Sequence, residues 1–135
     1  MTLVDQFRNY FGIRNVALKW VKSYFHGRTQ SVVIGDITSQ PVALNQGVPQ
    51  GSVIGPRAYT MYTRPLGDII NTHNLQYHIY ADDVQIYMPL LSDTDVNKQL
   101  VRIENCVKDV QHWMTKNKLK LNSGKTELLH ISRPC

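Results

Sequence analysis

The chain has 135 residues, 42% of them hydrophobic and 9% aromatic, which suffices for a buried core and lies outside the composition of disordered segments. Fifteen lysines and arginines against ten acids give a formal net charge of +5, a balance that suits a polyanionic partner. No apolar run reaches the roughly 18 residues that span a bilayer, Met1 to Arg8 has no signal-peptide layout, and Cys106 and Cys135 stand in no zinc-type cluster, so a soluble chain in a reducing compartment is expected.

In chain order, apolar residues at Leu3, Val4, Phe7 and Phe11, then at Val16, Leu18, Trp20, Val21 and Tyr24, predict two short helices with a break at Gly12. His26-Gly27-Arg28 ends the second. The β-branched run Ser31 to Ile34, the pair Gly35-Asp36 and the segment Pro41 to Leu44 predict a hairpin turning near Gly35. Gln46 to Pro56 holds three glycines and two prolines, too many breakers for an element interior, and is expected as a shaped loop leading into a helix over Arg57 to Asn74. Leu75 to Ile79 and Val84 to Met88 read as the arms of a second hairpin, with Tyr80-Ala81-Asp82-Asp83 at its turn. A long amphipathic helix follows over Asp93 to Asn117, since Val96, Leu100, Ile103, Val107, Val110 and Met114 recur at helical spacing and Ser92 or Asp93 can cap it. After a turn at Ser123-Gly124, Thr126 to Ile131 is expected as a closing strand.

Charge is distributed in blocks. Met1 to Arg64 carries seven basic and two acidic residues, Pro65 to Val110 three basic and seven acidic, and Gln111 to Cys135 five basic and one acidic. Such a layout suits a cation-holding centre between phosphate-holding surfaces, and it equally suits solvated faces that differ in sign. Within the acidic block, Asp82 and Asp83 are adjacent. Like charges a few ångströms apart raise each other's pKa unless a cation sits between them, although two acids in a hairpin loop are also an ordinary turn. The apolar arms Tyr77, Ile79, Ala81, Val84 and Ile86 would hold the pair on a rigid support. In the loop, glycines admit close approach of a backbone to a ligand, prolines limit freedom, and Gln50 and Ser52 offer uncharged hydrogen bonds.

These two segments in this order resemble the reverse transcriptases, most closely those of non-LTR retrotransposons. Gln46 to Pro56 is similar to the family's Q-G-V-P-Q-G-S-V-L-G-P segment with Ile54 for Leu, and Tyr80 to Asp83 matches its Y-A-D-D box. Gln85-Ile86-Tyr87, Trp113, Asn117 to Asn122 and Lys125-Thr126-Glu127 fit the downstream pattern. A departure is Arg57-Ala58-Tyr59, where the family usually shows Leu-Leu-Phe and where a basic residue is expected to disturb helix packing.

The resemblance implies an α+β fold, a polymerase palm-like layer of helices on an antiparallel sheet, with residues 1–135 forming a partial palm domain and the fingers and thumb missing. It implies Asp82 and Asp83 as catalytic residues and ligands of Mg²⁺, or Mn²⁺ in its place, in two-metal nucleotidyl transfer onto a primer 3′-hydroxyl. Gly47, Pro49, Gln50, Gly51 and Ser52 would line the template and incoming nucleotide, and Lys125 would face the leaving phosphates. The implied partners are an RNA template, a DNA primer, deoxynucleoside triphosphates and the fingers and thumb segments of the parent polymerase. No membrane is implied, and the expected location is intracellular, in nucleus or cytoplasm. Family members also supply an aspartate from an aromatic-Asp-x-x-x-Asp-His context ahead of the Gly-Ile that is here Gly12-Ile13. Only Asp5 precedes Asp36, and it aligns with the following helix, so the chain alone is expected to be inactive. The rival expectations are a non-catalytic nucleic-acid-binding remnant of a retrotransposon and, more distantly, a piece of a viral RNA-dependent RNA polymerase.

Overall fold

A computed structural model describes residues 3–44, 47, 51–89 and 96–131. Helix α1 (Leu3–Phe11) stops where Gly12 takes the left-handed φ of 64°, and α2 (Asn15–Phe25) follows, so the break falls where the glycine predicts it. Phe7, Leu18, Val21 and the buried Ala58 form one apolar cluster. Val16 and Trp20 point away from it and are exposed, contrary to their place in the apolar pattern; the inward stripe is the narrower one of the buried Leu18 and Val21 and the partly buried Phe25.

The first hairpin is a ribbon of two short antiparallel ladders. Strand β1 (Thr29–Gln30) pairs with β4 (Val42–Ala43), and β2 (Val33–Ile34) pairs with β3 (Ile37–Thr38) around a two-residue turn at Gly35-Asp36. Between the ladders, the Ser39 N–H donates to the Val32 carbonyl at 2.9 Å and the Val32 N–H to Ser39 Oγ at 3.0 Å.

The helix expected over Arg57 to Asn74 is two helices, α3 (Gly55–Thr63) and α4 (Pro65–Thr72). Pro65 lacks an N–H and ends the ladder of hydrogen bonds, while Arg64 keeps helical angles and donates to Asp68 at 2.8 Å. Arg57 is exposed beside the buried Ala58, so the basic residue leaves the packing of α3 intact. Helix α4 delivers Leu66 and Ile70 to the second cluster, with Leu75, Cys106 and Val110. Burying each of these large side chains is worth about 1.5–3 kcal/mol.

Strands β5 (Gln76–Tyr80) and β6 (Asp83–Tyr87) form the second hairpin, with Tyr80 opposite Asp83 and the turn tightened to Ala81-Asp82. Tyr77, Ile79 and Ile86 pack against the core through the alternation of the strands. The long helix α5 (Val96–Lys116) covers the same core, whereas the expected caps Ser92 and Asp93 lie outside the described residues. Its end is a Schellman motif. The Leu119 N–H donates to the Met114 carbonyl at 2.8 Å and the Lys118 N–H to the Thr115 carbonyl at 3.2 Å, with Lys118 at φ 60°.

Beyond a 3₁₀ turn at Ser123–Lys125, the segment 126–131 joins no ladder, so the closing strand is not formed. Alternation gives a segment the faces of a strand, but its backbone groups need a neighbouring chain to pair with. The described residues are α+β, and among them antiparallel pairing is divided among three two-stranded sheets.

Candidate active site

The acidic turn is built by strand register. Because Tyr80 pairs with Asp83, only Ala81 and Asp82 remain to reverse the chain, and Ala81 takes φ 52°, an angle that alanine adopts only at a cost. Asp82 therefore stands in the turn and Asp83 opens β6, both exposed. Their support is rigid. The ring and hydroxyl of Tyr77 close over Gly67 of α4, where an added Cβ would stand 2.6 Å from Tyr77 Cζ.

The described glycines of the loop precede α3. Gly47 and Gly51 have φ of 85° and 77° with open space where a side chain would stand, and both are exposed. Ser52 Oγ accepts the Gly55 N–H at 2.9 Å, satisfying a donor at the start of α3 that the helix itself leaves unpaired. One turn beyond Gly55, the half-buried Tyr59 lies within electrostatic reach of Asp82. Burial raises the pKa of its phenol, and the Asp82 carboxylate raises it further.

Pro49 and Gln50 lie outside the described residues. Lys125 is exposed in the 3₁₀ turn, and among the described residues its side chain makes no hydrogen bond or ion pair, so nothing ties it to the acidic turn. Tyr59, whose phenol feels the Asp82 carboxylate, was not singled out by sequence reasoning. It stands in the Arg57-Ala58-Tyr59 departure, and the only signal for it was an aromatic three positions after Pro56 on the helix that leaves the loop.

Among the described residues the sequence-predicted acids thus stand side by side and exposed at the tip of a paired hairpin. The family model for reverse transcriptase (RNA-dependent DNA polymerase) matches residues 3–135, and the chain belongs to that family. Over 110 residues it is 28% identical to the RNA-directed DNA polymerase from mobile element jockey of Drosophila funebris, an alignment that covers 78% of the chain and 12% of that protein. Over 122 residues it is 28% identical to the probable RNA-directed DNA polymerase from transposon BS of Drosophila melanogaster, covering 87% of the chain and again 12% of the relative. The chain therefore spans about one-eighth of the length of these relatives, and its place is among the reverse transcriptases of non-LTR elements. No solved structure matches it.

Proposed function

We propose that residues 1–135 are part of the palm of an RNA-directed DNA polymerase and carry two of its catalytic carboxylates, Asp82 and Asp83. The observation that supports this most is the hairpin turn that presents both acids to solvent on strands packed into the core. The carboxylates are hard oxygen donors, and Mg²⁺ is commonly bound through one or two of them together with waters and substrate phosphates, so the residues fit the ion. When bound, the ions would lower the pKa of the primer hydroxyl and neutralise charge on the transferred phosphate. Asp82 is the principal ligand, and Asp83 stands beside it towards the primer.

The chain's own residues then orient substrate. The open space at Gly47 and Gly51 lets a nucleotide approach the backbone, Ser52 fixes the start of α3, and Pro49 and Gln50 complete the template and nucleotide surface. Lys125 meets the leaving phosphates, a role that rests on its motif alone. RNA template, DNA primer and deoxynucleoside triphosphates are the substrates, and fingers and thumb segments are partners within the parent polymerase, in the nucleus or cytoplasm.

Among the described residues no group of three or more His, Cys, Asp or Glu side chains could hold a metal ion. Because the further aspartate of the family's aromatic-Asp-x-x-x-Asp-His context has no counterpart in residues 1–135, the 135-residue chain by itself is expected to give no primer extension, and Asp5→Ala to change nothing. Joining the upstream palm segment and fingers of a related enzyme ahead of Leu3 should restore extension that Asp82→Asn abolishes. A folded graft that bound primer-template and never extended it would favour a nucleic-acid-binding remnant instead.

A further inference from the structure

A run of ring contacts ties the exposed side of α2 to the core. The buried Phe7 stacks on Phe25 with centroids 6.4 Å apart and planes at 24°. Phe25 meets Tyr24 edge-on at 5.0 Å, and Tyr24 lies nearly parallel to Trp20 at 5.4 Å and 18°. The Arg28 guanidinium stands 5.5 Å from the centre of the Tyr24 ring. Trp20 ends the run 50% exposed, and Val16, one turn earlier, is 79% exposed. Helical spacing puts Val16, Trp20 and Tyr24 on one side of α2 and the buried Leu18 and Val21 on another. An indole is thus held open to solvent by a stack of rings that begins in the core.

Charge identifies the occupant of this face. From Gln6 to Gly35 the chain carries Arg8, Arg14, Lys19, Lys22 and Arg28 and not one acid. Lys19 and Lys22 lie on α2 itself and are exposed. A large aromatic face backed by tyrosine and arginine, on an acid-free basic segment, matches an unpaired base and its phosphate backbone, because bases stack on rings whatever their sequence while cations meet the phosphates. An apolar protein partner would use Trp20 and Val16 but has no need of uniformly positive surroundings.

We propose that the Trp20, Tyr24 and Arg28 face of α2 is a base-stacking platform for single-stranded nucleic acid, separate from the acidic turn. The platform rests on the chain's place in a nucleic-acid polymerase and adds to it a site that holds a strand away from the chemistry.

The test uses the full chain, a labelled oligouridine and an abasic oligonucleotide of equal length, with circular dichroism to verify that each variant folds. Trp20→Ala should weaken oligouridine binding by about tenfold, within the range of alanine substitutions at stacking positions, and Trp20→Phe should keep most of it. The abasic strand should bind the unsubstituted chain about as weakly as oligouridine binds Trp20→Ala. Equal affinity for the two strands, an unaffected Trp20→Ala, or equal losses in the alanine and phenylalanine variants would overturn the platform and leave the polymerase assignment standing. Failure of the chain to bind either strand would also overturn it, whereas the assignment of Asp82 and Asp83 is decided separately by extension in the grafted enzyme.

Discussion

Asp82 and Asp83 stand side by side where the second hairpin reverses. Two exposed carboxylates at the tip of a tight turn repel each other, and Ala81 holds a left-handed angle to let them stand there. Asp82→Asn with Asp83→Asn should therefore abolish Mn²⁺ binding while leaving the metal-free chain as stable or slightly more stable in thermal melts; a clear loss of stability would make the pair a turn cap. Gly67 is constrained in the opposite sense, by contact. Gly67→Ala forces the Tyr77 ring off α4 and should cost about 1–3 kcal/mol in urea unfolding, as overpacked cores do. Burial also raises the pKa of the Cys106 thiol above its ordinary 9.0, with Asp109 adding to the shift. A group whose pKa is raised by folding contributes stability that is complete below its unfolded value and is lost as pH rises through the folded one. Stability should thus fall from about pH 9 upward, and Cys106→Ala should lessen the fall. The place of the acidic pair at a hairpin turn was legible in the sequence because it is set by adjacent residues and by the apolar arms that flank them. Tyr59 was not, because its electrostatic relation to Asp82, 23 positions on, exists only in the folded chain.

The helices were legible for a related reason: the signals that specify α1, α2 and α5 are local periodicity and local breakers. The two-residue turn at Gly35-Asp36 was legible in the same way. Where a boundary depended on a single backbone donor, the reading erred. Apolar residues continue at helical spacing through Pro65, so periodicity carried one helix across a point at which the proline ends the hydrogen-bond ladder. The segment 126–131 shows the limit of alternation, since Leu128, Leu129 and Ile131 are all exposed where no second strand meets them. The end of α5 is a local feature that still favours substitution. Lys118 occupies the left-handed position of the Schellman motif, normally a place for glycine, so Lys118→Gly should raise stability by about 0.5–1 kcal/mol in chemical denaturation, the relief of strain exceeding the added freedom of the unfolded chain.

Across the whole molecule, positive charge flanks an acidic middle, and the lysines after α5 add to the surface that would meet a duplex. Replacing Lys116, Lys118 and Lys120 by glutamate should flatten the salt dependence of RNA–DNA duplex binding by about two to three phosphate contacts in the slope. An unchanged slope would place the duplex elsewhere. The ribbon of residues 29–43 has a different bearing on how the molecule behaves. Every residue in it is exposed, and its ladders of two pairs each rest on backbone hydrogen bonds and the Ser39 bridge alone. Unzipping it surrenders almost no buried apolar area, so its opening requires far less free energy than unfolding around Leu66 and Ile70. In deuterated buffer the amides of this ribbon should exchange long before those of α4 and α5, and a protease should nick it while the helices stay folded. The molecule then behaves as two cooperative units, a durable helical body and an arm that opens and recloses many times within the lifetime of the fold.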